Sequence, residues 1–112
     1  MAKVIMKNTK HELVVKVAHI SGDGLESGII NVSDGQYGGV DPIGYDIKSI
    51  RWTQKSSHHI HIVHGVSDFV LCGNGIWDFN KGMVDSSESA DTITWAHDGT
   101  EFTIILELSK KY

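Results

Sequence analysis

The residues best suited to chemistry form a histidine cluster in the middle of the chain. Four histidines fall within seven residues: His58, His59, His61 and His64. On an extended strand, His59 and His61 point to the same side because side chains alternate between the two faces. A tight turn after them would place Asp68 opposite His61, and zinc accepts two histidines and a carboxylate as ligands. The cluster is therefore a candidate metal site.

A polar outer face is the simpler interpretation of these histidines. The strand register that the turns predict puts His59, His61 and Asp68 on the outside of a sheet, where no dry cavity or supporting hydrogen-bonding groups are evident. Cupins also carry a His-x-His pair on a strand, but their motif continues to a glutamate, where this chain has Gly65-Val66-Ser67. We therefore expect no metal and no other cofactor, and we assign the three residues to a contact surface.

No other pattern indicates catalysis. Cys72 has no basic neighbour in the sequence and is expected to be a small apolar filler beside a turn. The acidic run Asp85–Asp91 does not have the spacing of a calcium loop. Gly73-Asn74-Gly75 is not followed by the helix of a phosphate-binding loop. Because no nucleophile–base pair or paired carboxylates stand at a recognisable spacing, we predict that the protein is not an enzyme.

The composition excludes several partners. The net charge is −4, and basic residues do not cluster beyond Lys110-Lys111, so no nucleic acid is expected to bind. No apolar run approaches the ~20 residues of a membrane-spanning helix, and Met1–Lys10 lacks the apolar centre of a signal peptide. A single cysteine forms no internal disulfide, which is typical of a protein made in a reducing cytoplasm.

The remaining pattern predicts one β-rich domain over residues 1–112. Twelve Gly and one Pro, with many Val, Ile, Thr and Ser, favour short strands joined by tight turns. Nine segments have strand character: Lys3–Met6, Glu12–Ile20, Gly28–Val32, Asp46–Thr53, His58–Val63, Val66–Cys72, Ile76–Phe79, Asp91–Trp95 and Glu101–Leu108. Two longer loops, Ser33–Tyr45 and Asn80–Ala90, lie between them.

Turn residues predict three hairpins in this series. Asp98-Gly99 and His64-Gly65 suit two-residue turns, and Gly73-Asn74-Gly75 suits a three-residue loop. The predicted facing pairs are Trp95 with Phe102, Ile93 with Ile104, Ile60 with Phe69, His61 with Asp68, Phe69 with Phe79, and Leu71 with Trp77. In each hairpin the apolar side chains then share one face, as a specified register requires.

Two apolar sheet faces of this kind need to cover each other. This predicts an antiparallel β-sandwich of about eight strands. A jelly-roll and an immunoglobulin-like strand order both fit, and a small closed barrel is the alternative. Trp52, Trp77 and Trp95 are assigned to the core faces, with an exposed platform for stacking sugars as the other interpretation.

Four stretches span nearly the whole chain in order: His11–Val17, Ser49–Thr53, Gly73–Phe79, and Phe102–Leu108 followed by Lys110-Lys111. Together they resemble the small virion structural proteins of tailed phages, especially those of marine and cyanobacterial phages. Such patterns often carry Gly after the first strand, where this chain has Ala18-His19.

The resemblance implies a non-enzymatic component of a virion. Many proteins of this kind sit on the outside of the head shell as decoration or cement, often in threes around local symmetry axes. The implied partners are the major capsid protein and copies of the chain itself, after synthesis in the host cytoplasm. One alternative is a neck or tail component of the virion. Another is a β-sandwich that binds carbohydrate or a host surface.

Three regions are candidate contact surfaces for such partners. They are the outer face with His59, His61 and Asp68, the loop Ser33–Tyr45 with Tyr37 and Tyr45, and the segment Met1–Lys10, which could pair with a neighbour as an edge strand. If the histidines contact another subunit, we expect assembly to weaken as the pH falls through about 6.5, where free histidine becomes charged.

Overall fold

Residues 2–19, 26–54, 59–65, 67–78, 92–97 and 101–112 are described by the computed structural model, and they form nine strands and one 3₁₀ turn. The strands are β1 (Ala2–Asn8), β2 (Glu12–His19), β3 (Glu26–Ile30), β4 (Gly44–Gln54), β5 (Ile60–His64), β6 (Ser67–Leu71), β7 (Gly75–Asp78), β8 (Ile93–His97) and β9 (Phe102–Lys111). The 3₁₀ turn, Val32–Gly35, follows β3. Every predicted strand segment overlaps an observed strand.

The strands form two antiparallel sheets, which confirms the predicted β-sandwich. The larger sheet has the order β1-β2-β9-β4-β7, and the smaller has the order β3-β8-β5-β6. Buried side chains from both sheets form one core: Leu13, Val15, Val17, Ile30, Tyr45, Ile47, Ile50, Trp52, Ile60, Ile62, Phe69, Leu71, Ile93, Trp95, Phe102, Ile104, Leu106 and Leu108. The sheets therefore cover each other's apolar faces, as stacked sheets do.

The strand order is that of a jelly roll. β2 pairs with β9, β3 with β8, β4 with β7, and β5 with β6, so the chain from β2 to β9 is one long hairpin. Further pairing of β4 with β9 and of β5 with β8 rolls this hairpin into two four-stranded sheets. β1 then extends the larger sheet at the β2 edge. This nested arrangement of pairs distinguishes the jelly roll from the other orders that the sequence allows.

The predicted C-terminal hairpin is wrong. β8 lies between β3 and β5 in the smaller sheet, whereas β9 lies between β2 and β4 in the larger one. Trp95 and Phe102 are both buried, but they approach the core from opposite sheets. The alternating pattern identified the inward side chains correctly, because it depends only on the local period of two. It carries no information about which strand lies alongside. The turn Asp98-Gly99 lies outside the described residues.

The predicted register between β5 and β6 is wrong by two residues. Ile60 lies opposite Leu71 and Ile62 opposite Phe69, so the chain turns at Gly65, where φ is 60°, rather than at His64-Gly65. Because a shift of two residues preserves the faces, the predicted apolar side chains are still buried.

The same shift changes the neighbours of the outer-face residues. His61 lies opposite Val70, and Asp68 lies opposite Val63, so His61 and Asp68 do not face each other directly.

The predicted β6–β7 hairpin does not form. β7 pairs with β4 in the larger sheet, so the segment with Gly73, where φ is also 60°, crosses from one sheet to the other. Trp77 nevertheless packs against the core, which preserves the predicted side but not the predicted neighbour. Phe79 lies outside the described residues.

Hydrogen bonds between the sheets close both open sides of the sandwich. On one side, Lys3 Nζ of β1 donates to the carbonyl oxygen of Ile29 on β3 at 3.1 Å. On the other side, Trp52 Nε1 donates to the carbonyl oxygen of Cys72 at 3.1 Å. Each bond thus joins the two layers through a side-chain donor on the larger sheet and a backbone acceptor in or next to a strand of the smaller one.

The close approach of Gly28 to Trp95 provides a test of the packing. These residues lie opposite each other in the β3–β8 pair, and a Cβ on Gly28 would lie 2.1 Å from Trp95 Cζ2. We expect Gly28→Ala to lower the free energy of unfolding by about 1–3 kcal/mol in urea denaturation, because the indole must leave its site. In a Trp95→Phe background, which lacks the crowded ring atoms, Gly28→Ala should lower the free energy of unfolding by less. Equal losses in the two backgrounds would contradict this account.

Candidate interaction surfaces

The outer face of the five-stranded sheet is charged, and its charges pair with one another. Glu12 on β2 accepts hydrogen bonds from Lys48 and Lys7, each at 3.1 Å. These ammonium groups, with Lys48 the stronger influence, hold the pKa of Glu12 below its ordinary value. Lys111 forms an ion pair with Asp46 at 2.9 Å. These three lysines and two carboxylates therefore already have partners within the chain.

The outer face of the four-stranded sheet is mainly apolar. We call it the apolar face and define it by seven outward residues: Ile29, His61, Val63, Asp68, Val70, Thr94 and Ala96. Ile29, Val63 and Val70 are 41%, 38% and 42% exposed, respectively. An open depression of about 410 Å³ is lined by Gly28, Ile29, His61, Val63, Thr94, Trp95 and Ala96. Four of the seven outward side chains that define the face are apolar, and the three polar ones alternate with them across the sheet.

The apolar face contains two of the three predicted contact residues of the histidine region. His61 and Asp68 lie diagonally across the β5–β6 pair, with Nδ1 and Oδ1 3.8 Å apart. Their side chains are 48% and 58% exposed, so both can reach a partner. His59 directly precedes β5 and is also exposed. Within the described ranges, no three histidine, cysteine, aspartate or glutamate side chains are grouped to hold a metal ion.

A second exposed surface lies at one end of the sandwich, and we call it the loop end. It consists of Tyr37, Val40, Ile43 and Tyr112, which are 50%, 55%, 65% and 52% exposed. Tyr37 and Val40 exchange two backbone hydrogen bonds, of 3.0 and 3.2 Å, around Gly38 and Gly39. Both glycines have positive φ, 62° and 80°, as the tightest two-residue turn requires.

Hydrogen bonds join the loop end to the terminal strands. Ile43 N donates to the carbonyl oxygen of Lys111 at 2.7 Å, and Tyr112 Oη donates to that of Lys10 at 2.6 Å. The four exposed side chains are thus held on a firm backbone, and a partner would need to order little before binding.

Lys110 lies on the core side of the loop end and contacts it. It occupies an inward position of β9 and is buried, and its Nζ donates to Asn8 Oδ1 and to the carbonyl oxygen of Thr9. The ammonium group also lies 5.5 Å from the centre of the Tyr37 ring, which places it in cation–π range. Burial lowers the pKa of Lys110. One side chain therefore connects the β1–β2 turn, β9 and the loop tip.

Of the two predicted tyrosines, only Tyr37 is accessible. Tyr45, expected as a contact residue, is fully buried, because it alternates with Ile47 along β4 and a shift in the β4–β9 register after Ile47 keeps this pair on the inward side. Its hydroxyl donates to the carbonyl oxygen of Asn31 at 2.8 Å. Burial, reinforced by the charge of Asp34, raises the pKa of Tyr45. Tyr45 thus supports the loop rather than a partner. Val40 and Ile43 lie within the predicted contact loop Ser33–Tyr45 but were not singled out. Lys110 and Tyr112 were missed, although a lysine and a tyrosine at the end of the C-terminal strand were visible in the sequence.

The tryptophans do not form an open platform. Trp52 and Trp95 are buried, as predicted. Trp77 is half-buried, and its ring meets Trp52 edge-on at 5.8 Å and Phe69 edge-on at 5.5 Å. Cys72 is exposed because it follows the last residue of β6, so its predicted role as a core filler is wrong.

The order and pairing of the described strands define the class of this chain as a jelly-roll β-sandwich. No protein-family model, curated protein or solved structure matches it. Along the described ranges there is no helix with the length and apolar character needed to cross a membrane.

Lys110 makes the stability of the loop end depend on pH. We expect Lys110→Met to lose about 1–3 kcal/mol at pH 7, because the Thr9 and Asn8 acceptors lose their donor. Since the folded pKa lies below the ordinary 10.5, the unfolded wild-type chain binds more protons than the folded one between those two values. Wild-type stability relative to the variant should therefore increase from pH 7 to pH 10 in denaturant titrations. A constant difference would contradict this assignment.

Proposed function

We propose that this chain is a structural, non-enzymatic protein of a tailed-phage virion that decorates or cements the outer head shell through its loop end. The observation that carries the proposal is the group of four half-exposed side chains, Tyr37, Val40, Ile43 and Tyr112, on a hydrogen-bonded backbone. The resemblance of four sequence stretches to phage virion proteins supports the context.

The chemistry of the loop end suits a shell contact. Aromatic residues dominate the energetics of protein interfaces, because a large rigid ring loses little conformational freedom on binding. Tyr37 and Tyr112 supply two rings, and Val40 and Ile43 supply apolar surface beside them. Tyr37 is further held over the Lys110 ammonium group. A preformed contact of this kind retains most of the free energy that it gains on burial.

The jelly roll supports the proposal only as a scaffold. Double-sheet jelly rolls occur in viral capsid proteins, lectins and cupins, so the fold alone does not identify a function. A rigid sandwich needs no cofactor to bridge neighbouring capsid subunits. Repetition over a shell also lets a modest single contact act many times.

Particle association tests the proposal. We expect the chain to co-sediment with purified particles, at hundreds of copies per particle for a head protein. A dozen copies or fewer would favour the neck or tail alternative instead. If the chain were absent from the particle fraction of a density gradient, the proposal would be wrong.

Binding of the recombinant chain to particles that lack it tests the loop end itself. We expect Tyr37→Ala with Ile43→Ser to reduce binding roughly 30-fold, which corresponds to the loss of about 2 kcal/mol at an interface anchor. Ile76→Ser is the matched control, because Ile76 is 51% exposed on β7, away from the loop end. Undiminished binding of the double variant, or an equal loss in the control, would contradict the assignment of this surface.

A further inference from the structure

We infer that β1 is a strap that controls the order of the loop end, so that residues 34–40 open when β1 leaves the edge of the larger sheet. β1 lies outside the nested strand pairs, and β2 is its one strand neighbour among the described strands. Residues 3–7 are exposed and Asn8 is half-buried, so these residues add no side chain to the core. Segments that bury little apolar surface open more easily than core strands do. β1 can therefore leave without opening the core.

A bulge in β1 turns two polar side chains toward the inner side of the sheet. Lys3 and Asn8 lie opposite Val17 and Leu13, which are buried inward residues of β2. Because Lys3 and Asn8 are an odd number of positions apart, strict alternation would place one of them on the outer face. The register shift that follows Ile5 inserts the additional residue that keeps both of them inward. β1 thus presents both polar side chains to the loop segment that follows β3.

Lys3 attaches the strap to the 3₁₀ turn at the start of the loop. Its Nζ forms an ion pair with Asp34 Oδ2 at 2.8 Å and donates to the carbonyl oxygen of Ile29 at 3.1 Å. The same oxygen of Asp34 accepts a hydrogen bond from the backbone N–H of Asn31 at 2.8 Å. Lys3 therefore holds the carboxylate that caps the 3₁₀ turn.

Asn8 forms the second attachment, directly before the exposed loop tip. Its Nδ2 donates to the carbonyl oxygen of Gln36 at 2.9 Å, and its Oδ1 accepts a hydrogen bond from Lys110 Nζ. Gln36 precedes Tyr37, whose ring contacts the same ammonium group of Lys110. One amide side chain therefore connects the strap both to the loop tip and to the lysine that contacts the ring of Tyr37.

These attachments couple the strap to the loop tip. Two backbone hydrogen bonds between Tyr37 and Val40 close the turn at the tip. An isolated turn of this kind is only marginally stable in water, so its order depends on the attachments beside it. Departure of β1 removes the contacts of Lys3 and Asn8 together, and the strap and the tip then open as one unit. By linkage, any partner that binds the ordered tip also favours the docked strap.

Two lysines of β1 provide a matched pair of variants. Lys3 reaches the loop, whereas Lys7 forms an exposed ion pair with Glu12. We expect Lys3→Met to speed hydrogen exchange of the Tyr37 and Val40 amides roughly tenfold, because the loss of a charged hydrogen bond shifts the opening equilibrium by about that factor. Lys7→Met should leave both amides nearly unchanged, because an exposed ion pair contributes little. The amides of β5 report on the core and separate local opening from a general loss of stability.

A reversible disulfide on β1 tests the same coupling in the opposite direction. Val4 and Lys16 lie directly opposite each other, and such pairs have Cα separations that a disulfide can bridge. In the chain with Val4→Cys, Lys16→Cys and Cys72→Ser, we expect oxidation to slow exchange at Tyr37 and Val40 several-fold, because the strap can no longer leave β2. The reduced form of the same chain is the matched control.

Three results would overturn the inference. The first is wild-type exchange at the loop tip in Lys3→Met, and the second is an equal acceleration in Lys7→Met. The third is the same exchange at the loop tip in the oxidised and reduced forms of the disulfide chain. Particles take no part in these measurements, so the coupling is tested separately from the proposed function.

Discussion

The structure depends on the need of two apolar sheet faces to cover each other, and β9 is where this requirement is strongest. β9 lies between β2 and β4, and its inward side chains Phe102, Ile104, Leu106 and Leu108 are buried. Each side chain of this size contributes roughly 1.5–3 kcal/mol when it is removed from water. Because β9 pairs on both edges and packs on one face, the strands around it have little freedom to rearrange. The jelly-roll order itself is defined by the nested pairs β2–β9, β3–β8, β4–β7 and β5–β6.

The alternation of inward and outward side chains along β9 also explains the loop end. Residue 110 is the next inward position after Leu108, so β9 directs an ammonium group into the end of the core. A buried charge is costly unless it is hydrogen-bonded, and Lys110 is bonded to Asn8 and Thr9. The contact with the Tyr37 ring then brings the loop tip into the same cluster. An inward lysine at the limit of the core thus fixes the surface above it.

The two outer faces of the sandwich differ in how their polar side chains are paired. The larger sheet pairs Glu12 with Lys7 and Lys48 on its own surface. The smaller sheet leaves Val63 and Val70 partly exposed beside His61 and Asp68, whose Nδ1 and Oδ1 atoms are 3.8 Å apart. Removal of apolar surface from water is the main driving force of most protein association. Val63 and Val70 therefore make the smaller sheet a candidate contact surface.

The sequence by itself determined where strands form and which side chains point inward, as Ile60, Ile62, Trp95 and Ile104 show. These properties follow from a local period of two residues and from turn-forming residues nearby. Only the tertiary structure decided that β8 and β9 belong to different sheets, that β5 and β6 pair two residues away from the predicted register, and that Tyr45 is buried. Strand neighbours and register depend on contacts between residues far apart in the chain. The alternating pattern shows which side chains point to the core. It does not show whether the next strand in the chain is a hydrogen-bonded neighbour in the same sheet or lies in the opposite sheet.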